Sequence, residues 1–188
     1  RILMCQISRL IKDEHVLFLF YGIINSYSTC EGRGLPIGNL TSQYFANHYL
    51  AGLDHYILEK LEPGSYVRYM DDMVIWHSDP EKLRHLLEAV RTYCSEELNL
   101  ELRPPVMGSV KEGVPFLGFL VKPSGILLLS KSKRRMKKRA KAISEELASG
   151  LIDERQAALR ATSVNASVLI ARSRAFRARL WKENSHGL

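Results

Sequence analysis

Cysteine is scarce in this chain. Cys5, Cys30 and Cys94 are odd in number, far apart and without a Cys-x-x-Cys pair, which excludes a disulfide framework and a cysteine-based zinc site and points to a reducing compartment, the cytoplasm. Long apolar runs are missing as well. The best candidate, residues 16–20 with Ile23 and Ile24, is short and interrupted, well below the roughly 18 residues a spanning helix needs, so a soluble protein without a membrane partner is expected. No internal repeat or low-complexity tract is present, and composition close to the globular average argues against disordered, collagenous or coiled-coil classes. The sequence opens Arg1-Ile2-Leu3, without a methionine or a basic leader ahead of an apolar stretch, and is expected to be a piece of something longer.

What is present is a chain of 188 residues, 46% apolar and 25% charged, long enough to bury a core as one domain with an appended piece. Its net charge of +7 is unevenly placed. Residues 1–129 hold 12 Lys+Arg against 15 Asp+Glu, for −3, whereas residues 130–188 hold 15 against 5, for +10. Eight of the eleven positions 131–141 are basic and none is acidic. A solvated helix face normally mixes signs, so this run favours a polyanionic partner.

Apolar spacing predicts helices near residues 2–11 and 14–27, then a loop over residues 30–39 in which three glycines and Pro36 break regular structure. A long helix follows from Leu40, with Tyr44, Leu50, Leu53, Ile57 and Leu61 along one side and Asn39 or Thr41 as cap, stopping at Pro63-Gly64. Residues 66–76 read as a hairpin around Asp71-Asp72, and Asp79-Pro80 starts another helix with a stripe of Leu83, Leu86, Leu87, Val90, Tyr93 and Cys94. A short strand is expected at residues 100–102 and a second hairpin over residues 114–129, turning at Lys122-Pro123-Ser124-Gly125. Beyond Ser130 the chain is helical and basic, with Gly150 breaking it into two helices. The expected fold class is α+β, with a boundary between residues 1–129 and 130–188.

Adjacent aspartates inside an apolar strand pattern need compensation, because burying an ionised carboxylate without a partner costs several kcal/mol and two such groups repel. At the tip of a tight hairpin both can face one point, which suits a divalent cation with oxygen ligands such as Mg²⁺. The plainer alternative is that Asp-Asp is exposed turn chemistry. In the glycine-rich segment, Gly34 and Gly38 allow close approach of the backbone to bases or phosphates, and the helix start at Leu40 offers free N–H groups to anions. No Lys-Ser/Thr follows Gly38, so this is not a Walker loop. The histidines (His15, His48, His55, His77, His85, His186) form no ligand pattern. Tyr44, Phe45, Tyr49 and Tyr56 are read as packing residues.

Tyr69-Met70-Asp71-Asp72, between Tyr66-Val67-Arg68 and Met73-Val74-Ile75, resembles the YxDD catalytic hairpin of reverse transcriptases. Gly34-Leu35-Pro36-Ile37-Gly38-Asn39-Leu40-Thr41-Ser42-Gln43, followed by Ala46-Asn47, resembles the nucleotide- and template-site motif that precedes that hairpin in bacterial members. Phe116-Leu117-Gly118-Phe119 resembles the primer-grip hairpin that follows it. The three stand in the family's order.

The resemblance implies a partial polymerase palm, with helices packed on a small antiparallel sheet of hairpins, followed by a helical thumb, in an RNA-directed DNA polymerase of the group II intron, retron or diversity-generating type. It implies Asp71 and Asp72 as catalytic ligands of two Mg²⁺ ions and a dNTP as substrate. RNA template and DNA primer or product duplex are the implied partners, with any accessory protein or structured RNA left open. Gly34, Leu35, Pro36, Ile37, Gly38, Asn39, Gln43, Tyr69, Met70 and Arg103 would line the nucleotide and template sites, and Phe116, Leu117 and Gly118 the primer grip. Lys131, Lys133, Arg134, Arg135, Lys137 and Lys138 would track the duplex backbone. The family's third carboxylate and its fingers are expected upstream of Arg1, which implies that the fragment alone is inactive. Where the family often carries a lysine as proton donor, this chain has Arg103, whose pKa above about 12 makes it a poor acid; Lys111 is the fallback. The alternative function is a nucleic-acid-binding remnant or truncation without catalysis.

Overall fold

The structure is a computed structural model that describes residues 1–27, 34 and 39–184. The chain divides into two compact units, Arg1–Pro105 and Val106–Leu188, each with its own core.

In the first unit, α1 (Ile2–Leu10) and α2 (Glu14–Asn25) precede α3 (Leu40–Tyr56), which runs on as one wide π turn over Ile57–Leu61. Asp13 caps α2, its carboxylate accepting from the Val16 N–H at 3.0 Å. Asn39 stands at the N-cap of α3 without a side-chain capping bond. The helix ends where Glu62 turns left-handed, at φ 46°, ahead of Pro63-Gly64. Two strands follow, β1 (Ser65–Tyr69) and β2 (Asp72–Trp76), paired antiparallel with Tyr69 opposite Asp72. Next comes α4 (Pro80–Glu96), capped by Asp79 with Pro80 at its start, as the sequence predicts.

Leu53 and Ile57 are wholly buried and pack with Val90, Cys94 and Leu98, joining α3 to α4 beneath the hairpin residues Tyr66, Met73 and Ile75. Each such aliphatic side chain contributes roughly 1.5–3 kcal/mol by leaving water. A second cluster of Leu3, Ile7 and Phe45 fastens α1 to α3, with Phe20 of α2 edge-on to the Phe45 ring at 5.4 Å. Tyr44 departs from the expected stripe: it is 70% exposed, while Phe45 beside it faces the core. Residues 100–102 form no strand: the Leu100 N–H is taken by the Cys94 carbonyl at 2.8 Å, and Leu102 reaches the core cluster.

The second unit opens with a three-stranded antiparallel sheet, β3 (Val114–Phe116), β4 (Phe119–Lys122) and β5 (Gly125–Leu128), in the order β3-β4-β5. The expected single hairpin is thus a meander. Leu117 and Gly118, at φ 50° and 84°, make a two-residue turn of the primed kind that matches strand twist. Then come α5 (Ser130–Ala148), α6 (Glu154–Ala166) and α7 (Arg174–Asn184), where two helices were expected. Gly150, at φ 71°, makes the predicted break. The unpredicted one is held by buried Ser173, whose hydroxyl donates to the Val168 carbonyl at 3.1 Å and whose own carbonyl accepts the first bond of α7, from Arg177. Phe119, Ile126 and Leu128 pack with Met136, Ala140 and Ile143 of α5, so the sheet belongs with the basic helices and compactness divides the chain earlier than composition does. Among the described residues no helix is long and apolar enough to cross a membrane.

Candidate active site and nucleic-acid interface

The hairpin β1-β2 closes through Met70 and Asp71. Met70 has φ 56°, a left-handed conformation that costs a non-glycine residue roughly 1–2 kcal/mol and so needs outside support. Asp71 in the turn and Asp72 at the start of β2 are both exposed. Two adjacent carboxylates in water provide hard oxygen ligands of the kind Mg²⁺ takes, since that ion keeps several waters and uses one or two carboxylates together with substrate phosphates. Among the described residues no group of three or more His, Cys, Asp or Glu is gathered to hold a metal.

Period-2 alternation puts Tyr66 and Arg68 on the covered face of β1 and leaves Ser65, Val67 and Tyr69 exposed. Arg68 reaches α3. Its Nε donates to Asp54 Oδ1 at 2.7 Å, its Nη2 pairs with Asp54 Oδ2, and its Nη1 donates to Asn47 Oδ1 at 3.0 Å and to the Met70 carbonyl at 2.8 Å. The Tyr66 hydroxyl adds a bond to Asp54 Oδ1 at 2.6 Å. Burial by itself would lift the Asp54 carboxyl, but hydrogen bonds from Arg68 and Tyr66 outweigh it and hold the pKa below the usual 3.8. The hydrogen bond with Asp54 raises the Arg68 pKa despite burial, and burial together with the same carboxylate pushes up the Tyr66 phenol.

This network joins two of the sequence motifs, because Asn47 belongs to the loop-helix segment and Arg68 to the hairpin. Sequence reasoning missed it as a unit. The available signal was an arginine on the inward alternation of a strand, which requires a carboxylate, and Asp54 is the sole acid of α3.

Of the remaining predicted site residues, Gln43 is exposed on α3, Tyr69 is 56% exposed beside the turn, and Arg103 is exposed in an irregular segment. Gly34, at φ 121°, and Asn39 are described; Leu35, Pro36, Ile37 and Gly38 lie outside the described residues.

In the second unit, Phe116 is half-buried and Leu117 is 42% exposed at its turn. The Gly118 carbonyl accepts from Ser132 Oγ at 2.7 Å and from the Leu129 N–H at 3.3 Å, tying the turn to the start of α5. A groove of about 170 Å³ lies beside it, lined by Leu117, Phe119, Ser132, Arg135, Met136 and Arg139. Met136, Ala140 and Ile143 face the core, whereas Lys131, Lys133, Arg134, Arg135, Lys137, Lys138, Arg139 and Lys141 are exposed. The first turn of α5 carries no acidic residue. Positive charge near a helix N-terminus opposes the macrodipole, so an external anion relieves a repulsion that this helix otherwise bears. Lys133 also lies over the Phe176 ring, 6.0 Å from its centre.

Among the described residues the thiols carry no comparable chemistry. Cys94 is buried in the core, which raises its pKa, and Cys5 is free on an exposed face of α1.

A family model described as reverse transcriptase (RNA-dependent DNA polymerase) matches residues 3–121, a span that contains α3 and the Asp71-Asp72 hairpin and reaches into β4. A comparison with curated proteins finds no match to this chain.

Proposed function

Because the chain belongs to the reverse transcriptase family, we propose that it carries the palm and thumb portions of a bacterial RNA-directed DNA polymerase that extends a DNA primer on an RNA template. The observation that carries this reading is the exposed carboxylate pair on a hairpin turn anchored to the helix of the preceding motif. On it, Asp71 and Asp72 hold Mg²⁺ as two of its carboxylate ligands. With Mg²⁺ bound, the chemistry supplied is two-metal phosphoryl transfer: activation of the primer 3′-hydroxyl and neutralisation of charge around the α-phosphorus of the dNTP. Gln43 and Tyr69, both exposed, contact nucleotide or template, and Arg103 neutralises phosphate charge. Phe116, Leu117 and Gly118 meet the primer terminus, and the basic face of α5 follows the duplex through contacts that carry no sequence information. Asp71→Asn in the intact protein abolishes Mg²⁺-dependent primer extension in a gel assay and leaves duplex affinity within about twofold, as expected for loss of one ligand in a catalytic unit. Retained extension would refute the assignment.

A second reading, nucleic-acid binding without catalysis, is favoured by one observation, the eight exposed cations on α5, which bind a duplex whatever the hairpin does. The same assay separates the two: binding without extension by the intact protein supports the second.

A further inference from the structure

The turn that presents Asp71 and Asp72 is not self-sufficient. Met70 sits at a φ of 56°, in a place where a two-residue turn ordinarily recruits glycine. Its carbonyl is gripped by Arg68 Nη1 at 2.8 Å, and that guanidinium is fixed in turn by both oxygens of Asp54 and by Asn47, on a different element. The Arg68 side chain is only 10% exposed, so water does not readily replace these bonds. The Tyr66 hydroxyl donates to the same Asp54 Oδ1 that accepts from Arg68 Nε. Four hydrogen bonds from one planar group to three residues leave it little freedom to rotate, which a lysine in its place could not reproduce.

We propose that Arg68, anchored by Asp54, is the positioning residue of the carboxylate turn: it locks Met70 in the left-handed conformation and thereby fixes where Asp71 and Asp72 project. The consequence for metal binding rests on the polymerase reading above; the conformational claim does not. Arg68 itself touches neither metal nor nucleotide in this scheme, and acts through the Met70 carbonyl.

Isotope-edited NMR of the full chain tests both levels. The Met70 backbone couplings and shifts report its φ, and broadening of the Asp71 and Asp72 amides on titration with Mn²⁺ reports cation binding. Wild type is expected to show left-handed Met70 and Mn²⁺ broadening at the turn. Arg68→Lys keeps a charge for Asp54 but releases the carbonyl; Met70 is then expected to leave the left-handed region, with Mn²⁺ affinity falling about tenfold, the usual order for loss of an outer-shell support. Asp54→Asn, which loosens the anchor and leaves Arg68 in place, should do the same to a lesser degree, and it serves as the deciding variant should Arg68→Lys not fold. Met70 unmoved in a folded variant overturns the proposal. Loss of broadening in Asp71→Asn with Met70 unchanged supports the metal reading separately. Absence of broadening in wild type would sink that reading while the Met70 data still decide the role of Arg68.

Discussion

Asp54 makes the first unit sensitive to acid. Its folded pKa lies below the usual 3.8, so the carboxylate contributes stability that is present above the unfolded value and is lost as pH falls through the folded one. The groups facing it are Arg68, Tyr66 and His55, and protonation leaves Arg68 with a neutral partner. Chemical denaturation of the wild type is therefore expected to show falling stability below about pH 4, and Asp54→Asn to flatten that slope while lowering stability at neutral pH. An unchanged slope in the variant would mean that the acid sensitivity resides elsewhere. At this scale the sequence was only partly legible. Asp71 and Asp72 stand out because paired acids in an apolar strand demand a reason. Arg68 does not, because an arginine beside such a pair reads equally well as solvated or as a phosphate contact, and its true partner is 14 residues away on another element.

Elements were readable where one rule governed them. Apolar stripes located α3 and α4, the Asp79-Pro80 start of α4 is realised in the structure, and alternation located β1 and β2. Reading failed where a local device overrode the pattern. Residues 116–121 look like one strand, yet Leu117 accepts φ 50° beside Gly118 and the strand folds back. No glycine or proline marks the break before α7, which rests on buried Ser173. Gly118 gives the sharpest test of an element. A methyl group there would meet Ser132 Oγ at 2.8 Å while the backbone holds φ 84°, so Gly118→Ala should cost about 1–3 kcal/mol from strain and from the disturbed bond to Ser132. Thermal unfolding checks this. Gly150→Ala is a useful contrast, since its φ is also positive, at 71°, but a methyl group meets nothing within 4 Å, and a smaller loss is expected.

Across the whole molecule, charge and compactness are separate properties. The compositional border near Ser130 marks where the cations begin, while the compact units meet between Pro105 and Val106. The segment around that junction is irregular and exposed, with Val106 at 84%. Trypsin should cut early after Lys111, because the bond after Arg103 is protected by Pro104, and mass spectrometry of the first fragments would show it. The cations themselves predict a salt law. Duplex affinity should fall linearly on a log–log plot against salt, and replacing Lys133, Arg134, Lys137 and Lys138 by Gln should flatten that line by up to about 0.9 per lost phosphate contact. An unaltered slope would place the nucleic-acid face elsewhere.

The two bonds received by the Gly118 carbonyl, from Ser132 and Leu129, splice the Leu117 turn to the root of α5. The loop that would feel the end of a primer and the rod that would ride along its phosphates therefore travel as one lever. A displacement of the rod is expected to carry the loop with it, through the two bonds that end on one carbonyl oxygen.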